Sequence, residues 1–126
     1  MTRGEVYWVN LQPRSGSEQH GRRPVIIVSH DGFNRTGSWS SIIVVPISTS
    51  ARQRRRGPTA IPLPSAQSVQ KGSTALCHQV TTVDRSKFGE RIGLLSEEAM
   101  QAVNAGLAAA LDLPSEVPGT QSIEAP

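Results

Sequence analysis

The apolar residues of this chain arrive in short, β-branched runs closed off by glycine and proline, and that spacing excludes most helical folds. Val6-Tyr7-Trp8-Val9-Asn10-Leu11 lies between Gly4 and Pro13, Pro24–Ser29 follows Gly21, and Ser41–Ile47 follows Gly37. Each run is too short for an ordinary helix and rich in residues that suit a pleated, buried surface, so each reads as a strand. Pro46 has no N–H for a ladder, so a bulge or the exit of the strand is expected there. Thr59–Leu63, Ser73–Cys77 and Val80–Val83 are shorter strand candidates. A helical period occurs once. Ser96 can cap a helix whose first turn carries Glu97 and Glu98, Leu95 can staple onto Met100, and Pro114 ends the segment. Met100, Val103, Leu107 and Leu111 would share its buried face.

Five to seven short strands and one terminal helix predict a mainly β, α+β fold: an antiparallel barrel of the SH3-like kind with the C-terminal helix on its side. Asp31–Gly37 reads as a loop. Two long polar loops, Gln12–Arg22 and Ser48–Pro58, leave the sheet, and loops held by a rigid sheet are where function concentrates. Residues 1–113 form the expected domain. Residues 114–126 carry Pro118, Gly119 and Pro126 without an apolar pattern and read as a disordered tail.

Charge narrows the partners. The chain has 126 residues and a net charge of +3, but nine arginines precede Ala60 against Glu5, Glu18 and Asp31. The front half is therefore +6 and the remainder −3. Arginine suits phosphate oxygens and base stacking better than lysine does, so an acidic partner is the natural reading, with an Arg-favouring codon bias as the bland one. The one cysteine, Cys77, permits no intrachain disulfide and suits a reducing compartment. No apolar targeting region follows Met1 and no run approaches the roughly 18 apolar residues of a membrane span. A soluble, cytoplasmic protein with no membrane partner is expected.

His20, His30, Cys77 and His78 stand at no metal-ligand spacing, so neither a metal nor a cofactor is expected. No Gly-rich phosphate loop and no GxSxG elbow occur, which removes support for nucleotide or serine-hydrolase chemistry. The stretch Ser15-Gly16-Ser17-Glu18-Gln19-His20-Gly21-Arg22-Arg23-Pro24 remains. RNA carries its own nucleophile, the 2′-OH; cutting it needs a proton acceptor, a proton donor and positive charge on the phosphorane. Glu or His could move protons, and Arg23, fixed by Pro24, could supply the charge; a solvated hairpin loop would have the same composition. Trp8 and Trp39 could stack bases or simply pack in a core or dimer interface. Cys77 reads as a small buried hydrophobe.

Arg3-Gly4-Glu5-Val6-Tyr7-Trp8-Val9-Asn10-Leu11-x-Pro13, followed by Gly16-Ser17-Glu18-Gln19-x-Gly21-x-Arg23-Pro24, resembles the opening of the MazF/Kid/PemK toxin family. Val44-Val45-Pro46-Ile47-Ser48, Gln79-Val80-Thr81-Thr82-Val83-Asp84 and Ile92-Gly93-x-Leu95-Ser96 are similar to its later blocks, so the likeness runs from Arg3 to about Leu113. The resemblance implies a CcdB-like barrel and a homodimer that cuts single-stranded RNA without a metal, leaving 2′,3′-cyclic phosphate and 5′-OH ends, restrained by a cognate acidic antitoxin. It implies Arg23 and Ser48 as the catalytic pair, with Thr49 the alternative if the third strand holds one more residue. Ser17, Glu18, Gln19, Arg22, Thr49, Arg54, Arg55, Arg56, His78 and Gln79 are the implied RNA contacts. In the Kid branch a His, an Arg and an Asp stand where this chain has Ser17, Leu76 and His78, so that mechanism does not transfer, although His78 could act as a base. Two other functions fit the same barrel, a CcdB-like gyrase poison and a plain RNA-binding module.

Overall fold

The computed structural model describes residues 1–11, 21–55, 57–64 and 70–114. Seven strands, β1 (Glu5–Leu11), β2 (Gly21–Ile27), β3 (Ser41–Ser48), β4 (Ala60–Pro62), β5 (Thr74–Leu76), β6 (Thr81–Asp84) and β7 (Phe88–Leu94), form one antiparallel sheet. Two helices, α1 (Asp31–Asn34) and α2 (Glu97–Leu111), and three 3₁₀ turns complete the described residues. The sheet runs β4-β5-β3-β2-β1-β7, with β6 also on β3. It curls like a barrel but does not close, and the single long helix is C-terminal, as expected.

Strand β3 organises the sheet. Its first half, Ser41–Val44, pairs with β6, and its end, Ile47–Ser48, pairs with β5. The exchange of partner falls at Val45 and Pro46, where the missing N–H would break a continuous ladder. Pro46 thus neither ends the strand nor exits it; it marks where the strand changes neighbour.

Alternation along the strands divides the core in two. Val6, Ile26, Val28, Val45 and Ile47 face α2 with Leu95, Ala99 and Val103, while Val9, Leu11, Val25, Ile27, Ile42, Val44 and Val83 pack on the opposite face. Helix α2 begins where expected, with the Ser96 hydroxyl accepting from the Ala99 N–H. Its buried residues are Ala99, Val103 and Gly106, whereas Leu111 is exposed, because the left-handed cap at Asp112 ends the helix as it runs off the sheet.

Three other expectations need correction. Gly21, Arg22 and Arg23 belong to β2 rather than to a loop, since they pair with Leu11, Asn10 and Val9. Asp31–Asn34, within the expected loop, is a short helix capped by the His30 imidazole. Strand β7 was not foreseen; it pairs with β1 through two irregularities of register. The predicted tail from residue 115 lies outside the described residues.

One exposed segment is firmly tied. The Arg85 guanidinium donates to the carbonyls of Phe33, Asn34, Thr36 and Trp39 at 2.9–3.2 Å, and the Phe33 and Trp39 rings stack at 4.5 Å.

Candidate active site

The α2-facing side of the sheet opens, between the ends of β1, β2 and β3, into a cavity of about 310 Å³. This is at the small end of ligand-binding clefts. Val6, Trp8, Pro24, Ile47 and Ile92 form its apolar wall; Arg22, Arg23, Thr49, Gln70 and Ser73 form its polar one. Strand alternation explains the apolar half, because Val6 and Trp8 on β1 share a face with Pro24 and Ile26 on β2. That face runs from the core out to the exposed Arg22, which lies with its guanidinium carbon 4.3 Å from the centroid of the Trp8 ring.

The two candidate hydroxyls have different places. Ser48 is the last residue of β3 and is buried; its Oγ accepts the Ser50 N–H at 3.0 Å. The β2–β3 ladder ends at Val25 and Pro46, and beyond it Ile47 and Ser48 pair with β5, so Ser48 lies past the ladder shared with β2. Thr49 has the parity of Ile47 and joins it in lining the cavity. Arg23 and Thr49 thus line one cavity, whereas Ser48, of the opposite parity along the strand, is not among its described lining residues.

The other expected contacts divide. Arg54 leans over the Gln70–Ser73 turn: a side chain added at Gly72 would meet its guanidinium at 3.4 Å. Arg52 and Arg55 are exposed on the same loop. His78 and Gln79 sit in the 3₁₀ turn after β5, where His78 Nδ1 is 3.2 Å from the Thr59 hydroxyl, and neither is among the described residues lining the cavity. Ser17, Glu18, Gln19 and Arg56 lie outside the described residues. Trp8 and Ile92 line the cavity but were not named as site residues, because the sequence does not say which of a strand's residues stop short of full burial.

Arg22 and Arg23 are the only titratable groups among the described lining residues. The cavity as described supplies fixed positive charge and hydroxyl donors rather than a carboxylate or imidazole. Elsewhere on β1, burial opposes ionisation of Glu5, but hydrogen bonds from Arg91 and the Thr2 N–H outweigh it and hold the carboxyl below its ordinary pKa. Cys77 is fully buried, which pushes its thiol up to about 11, and its Sγ points at the Val103 carbonyl. It is no nucleophile. Among the described residues no three His, Cys, Asp or Glu side chains gather as a metal site, and no helix is long and apolar enough to cross a membrane.

A family model described as a PemK-like, MazF-like toxin of type II toxin–antitoxin systems matches residues 2–111. The chain is 32% identical over 114 residues to the endoribonuclease MazF of Staphylococcus saprophyticus, covering 90% of this chain and 92% of that one. A mycobacterial endoribonuclease solved in complex with its cognate antitoxin superposes with a TM-score of 0.72 at 26% identity, over 90% of this chain and 97% of that one. MazF from Deinococcus radiodurans shares the fold, with a TM-score of 0.73 at 24% identity over 88% and 96% of the two chains.

Proposed function

The chain belongs to the PemK-like, MazF-like toxin family of type II toxin–antitoxin systems, and we propose that it is a sequence-selective endoribonuclease acting on single-stranded RNA in the cytoplasm. The observation that supports the site reading is the cavity that Arg23 and Thr49 line together, with Ser48 buried one residue before Thr49.

The substrate 2′-oxygen attacks the adjacent phosphorus as its proton passes to a base, and the bond to the 5′-oxygen breaks as a proton is returned to that oxygen, leaving a 2′,3′-cyclic phosphate and a 5′-OH. The phosphorane gathers negative charge, which Arg23, exposed at the cavity, would offset. Ser48 accepts from Ser50 and keeps its own O–H proton to donate to a non-bridging oxygen; Thr49 offers a second donor. No step calls for a metal. Arg54 at the rim and its neighbours Arg55 and Arg56 would follow the phosphate backbone, and Ser17, Glu18 and Gln19 would shape the recognition of the bases.

Partner assignments rest on the relatives. A homodimer would carry two such cavities, and, as the mycobacterial neighbour was solved with its cognate antitoxin, an acidic antitoxin would here compete with RNA for the same arginines.

Cleavage of a long RNA in EDTA tests the reading. Cutting should persist and yield 5′-OH ends, and Arg23→Ala should lower the rate about 10²–10³-fold without unfolding the protein. Ser48→Ala and Thr49→Ala, measured beside it, rank the hydroxyls: the larger loss is expected for Ser48→Ala. Products with 5′-phosphates would defeat the mechanism, and an Arg23→Ala variant within threefold of the parent would defeat the assignment.

A further inference from the structure

The cavity has an apolar half that the phosphate chemistry does not use. Trp8 fills its centre, half-buried among Val6, Pro24 and Ile92. Nothing in core packing requires an indole to lie at the mouth of a polar cleft, and burying it completely would be favourable by the usual apolar measure. Its accessible ring is instead covered by a cation, Arg22, which is itself exposed. An exposed cation–π pair is weak and easily rearranged. Beside Trp8, β7 carries Gly89, where any side chain would come within 3.4 Å of the Trp8 carbonyl and 3.9 Å of its Cβ. Those are ordinary van der Waals distances to the backbone side of Trp8, so the indole itself is left to the cavity.

We propose that the Trp8–Arg22 pair is a nucleobase subsite: a base next to the scissile phosphate stacks on the Trp8 indole in place of Arg22, which moves out to the RNA backbone. The chemistry fits both halves of the cavity. A flat neutral base gains from an aromatic face whatever its identity, while the displaced guanidinium finds the phosphate that accompanies the base. Arg22 holds the platform dry until RNA arrives. The inference rests on the endoribonuclease reading and makes Trp8 a positioning residue, since it touches the base beside the reacting atoms.

The experiment uses Trp39→Phe protein, in which Trp8 is the sole tryptophan. The cut sites in a long RNA are mapped first, and a short RNA spanning one site is made with a 2′-deoxy sugar at the scissile position so that it binds uncut. Its addition should quench Trp8 fluorescence, and abasic sugars introduced singly on either side of the cut should restore fluorescence at one position and weaken binding about tenfold there. Trp8→Phe should keep near-parental KM, while Trp8→Leu should raise KM about tenfold with kcat within threefold. The abasic series needs no change at Trp8, so it decides the matter even if Trp8→Leu does not fold. Uniform binding of every abasic RNA with unchanged fluorescence would overturn the proposal and leave the pair a packing contact. Failure of the parent protein to cut any RNA would instead overturn the activity from which the proposal starts.

Discussion

Arg23 could be suspected from the chain alone, because an arginine immediately before a proline and a buried run has a fixed backbone and an open side chain. The relation of Ser48 and Thr49 to it could not. Successive residues face opposite ways, and only the folded sheet decides that Thr49 lines the cavity while Ser48 is buried beside it. Trp8 was ambiguous for a related reason: a tryptophan in a β-branched run has the same sequence whether it ends in the core or at a cleft. Asp31 is a residue whose importance was invisible. The Arg3 backbone N–H, more than Asn34 or Arg35, holds its carboxyl below the ordinary range. A carboxylate with a lowered folded pKa binds fewer protons folded than unfolded, so its stabilisation is complete above its unfolded pKa and disappears as pH falls through the folded one. Urea midpoints should therefore drop as pH falls below the ordinary carboxylate pKa, and Asp31→Asn should flatten that drop; an identical pH profile for the variant would mean the contact is without consequence.

Among elements, the strands whose ends are marked by Gly or Pro were legible to within a few residues, and α2 was legible from its cap. Strand β7 was not, because Gly89, Glu90, Arg91 and Gly93 dilute its alternation, and its pairing with β1 is irregular. Propensity is a poor guide to a strand that is recruited by its neighbour. The buried side of α2 was also misjudged at one end, since a helical wheel favours Leu111 over Gly106. The reason for Gly106 is steric: a Cβ there would lie 2.7 Å from both Cys77 Sγ and Ile61 Cγ1, so the helix approaches the sheet closely at this turn. Gly106→Ala should gain about 1 kcal/mol of helix propensity and lose more to overpacking, for a net loss of about 1–2 kcal/mol in chemical denaturation. A more stable variant would show that the interface can yield.

At the scale of the whole molecule, part of the basic front half gathers at the cavity, with Arg22 and Arg23 lining it and Arg54 folded over the Gln70–Ser73 turn, while Arg3 and Arg35 are engaged elsewhere. Neutralising Arg54, Arg55 and Arg56 together should flatten the dependence of log K on log salt for uncleavable RNA by up to about three contacts' worth; an unchanged slope would place the cluster away from the backbone. The same cavity has a temporal meaning. Its walls come from β1, β2, the end of β3, the turn before β5 and, last, Ile92 on β7. Synthesis runs from the N-terminus, so a growing chain acquires every arginine of the cavity long before it acquires the strand that closes the apolar side. A ribosome that has made two thirds of this protein holds a basic fragment whose cavity still lacks the wall that β7 supplies.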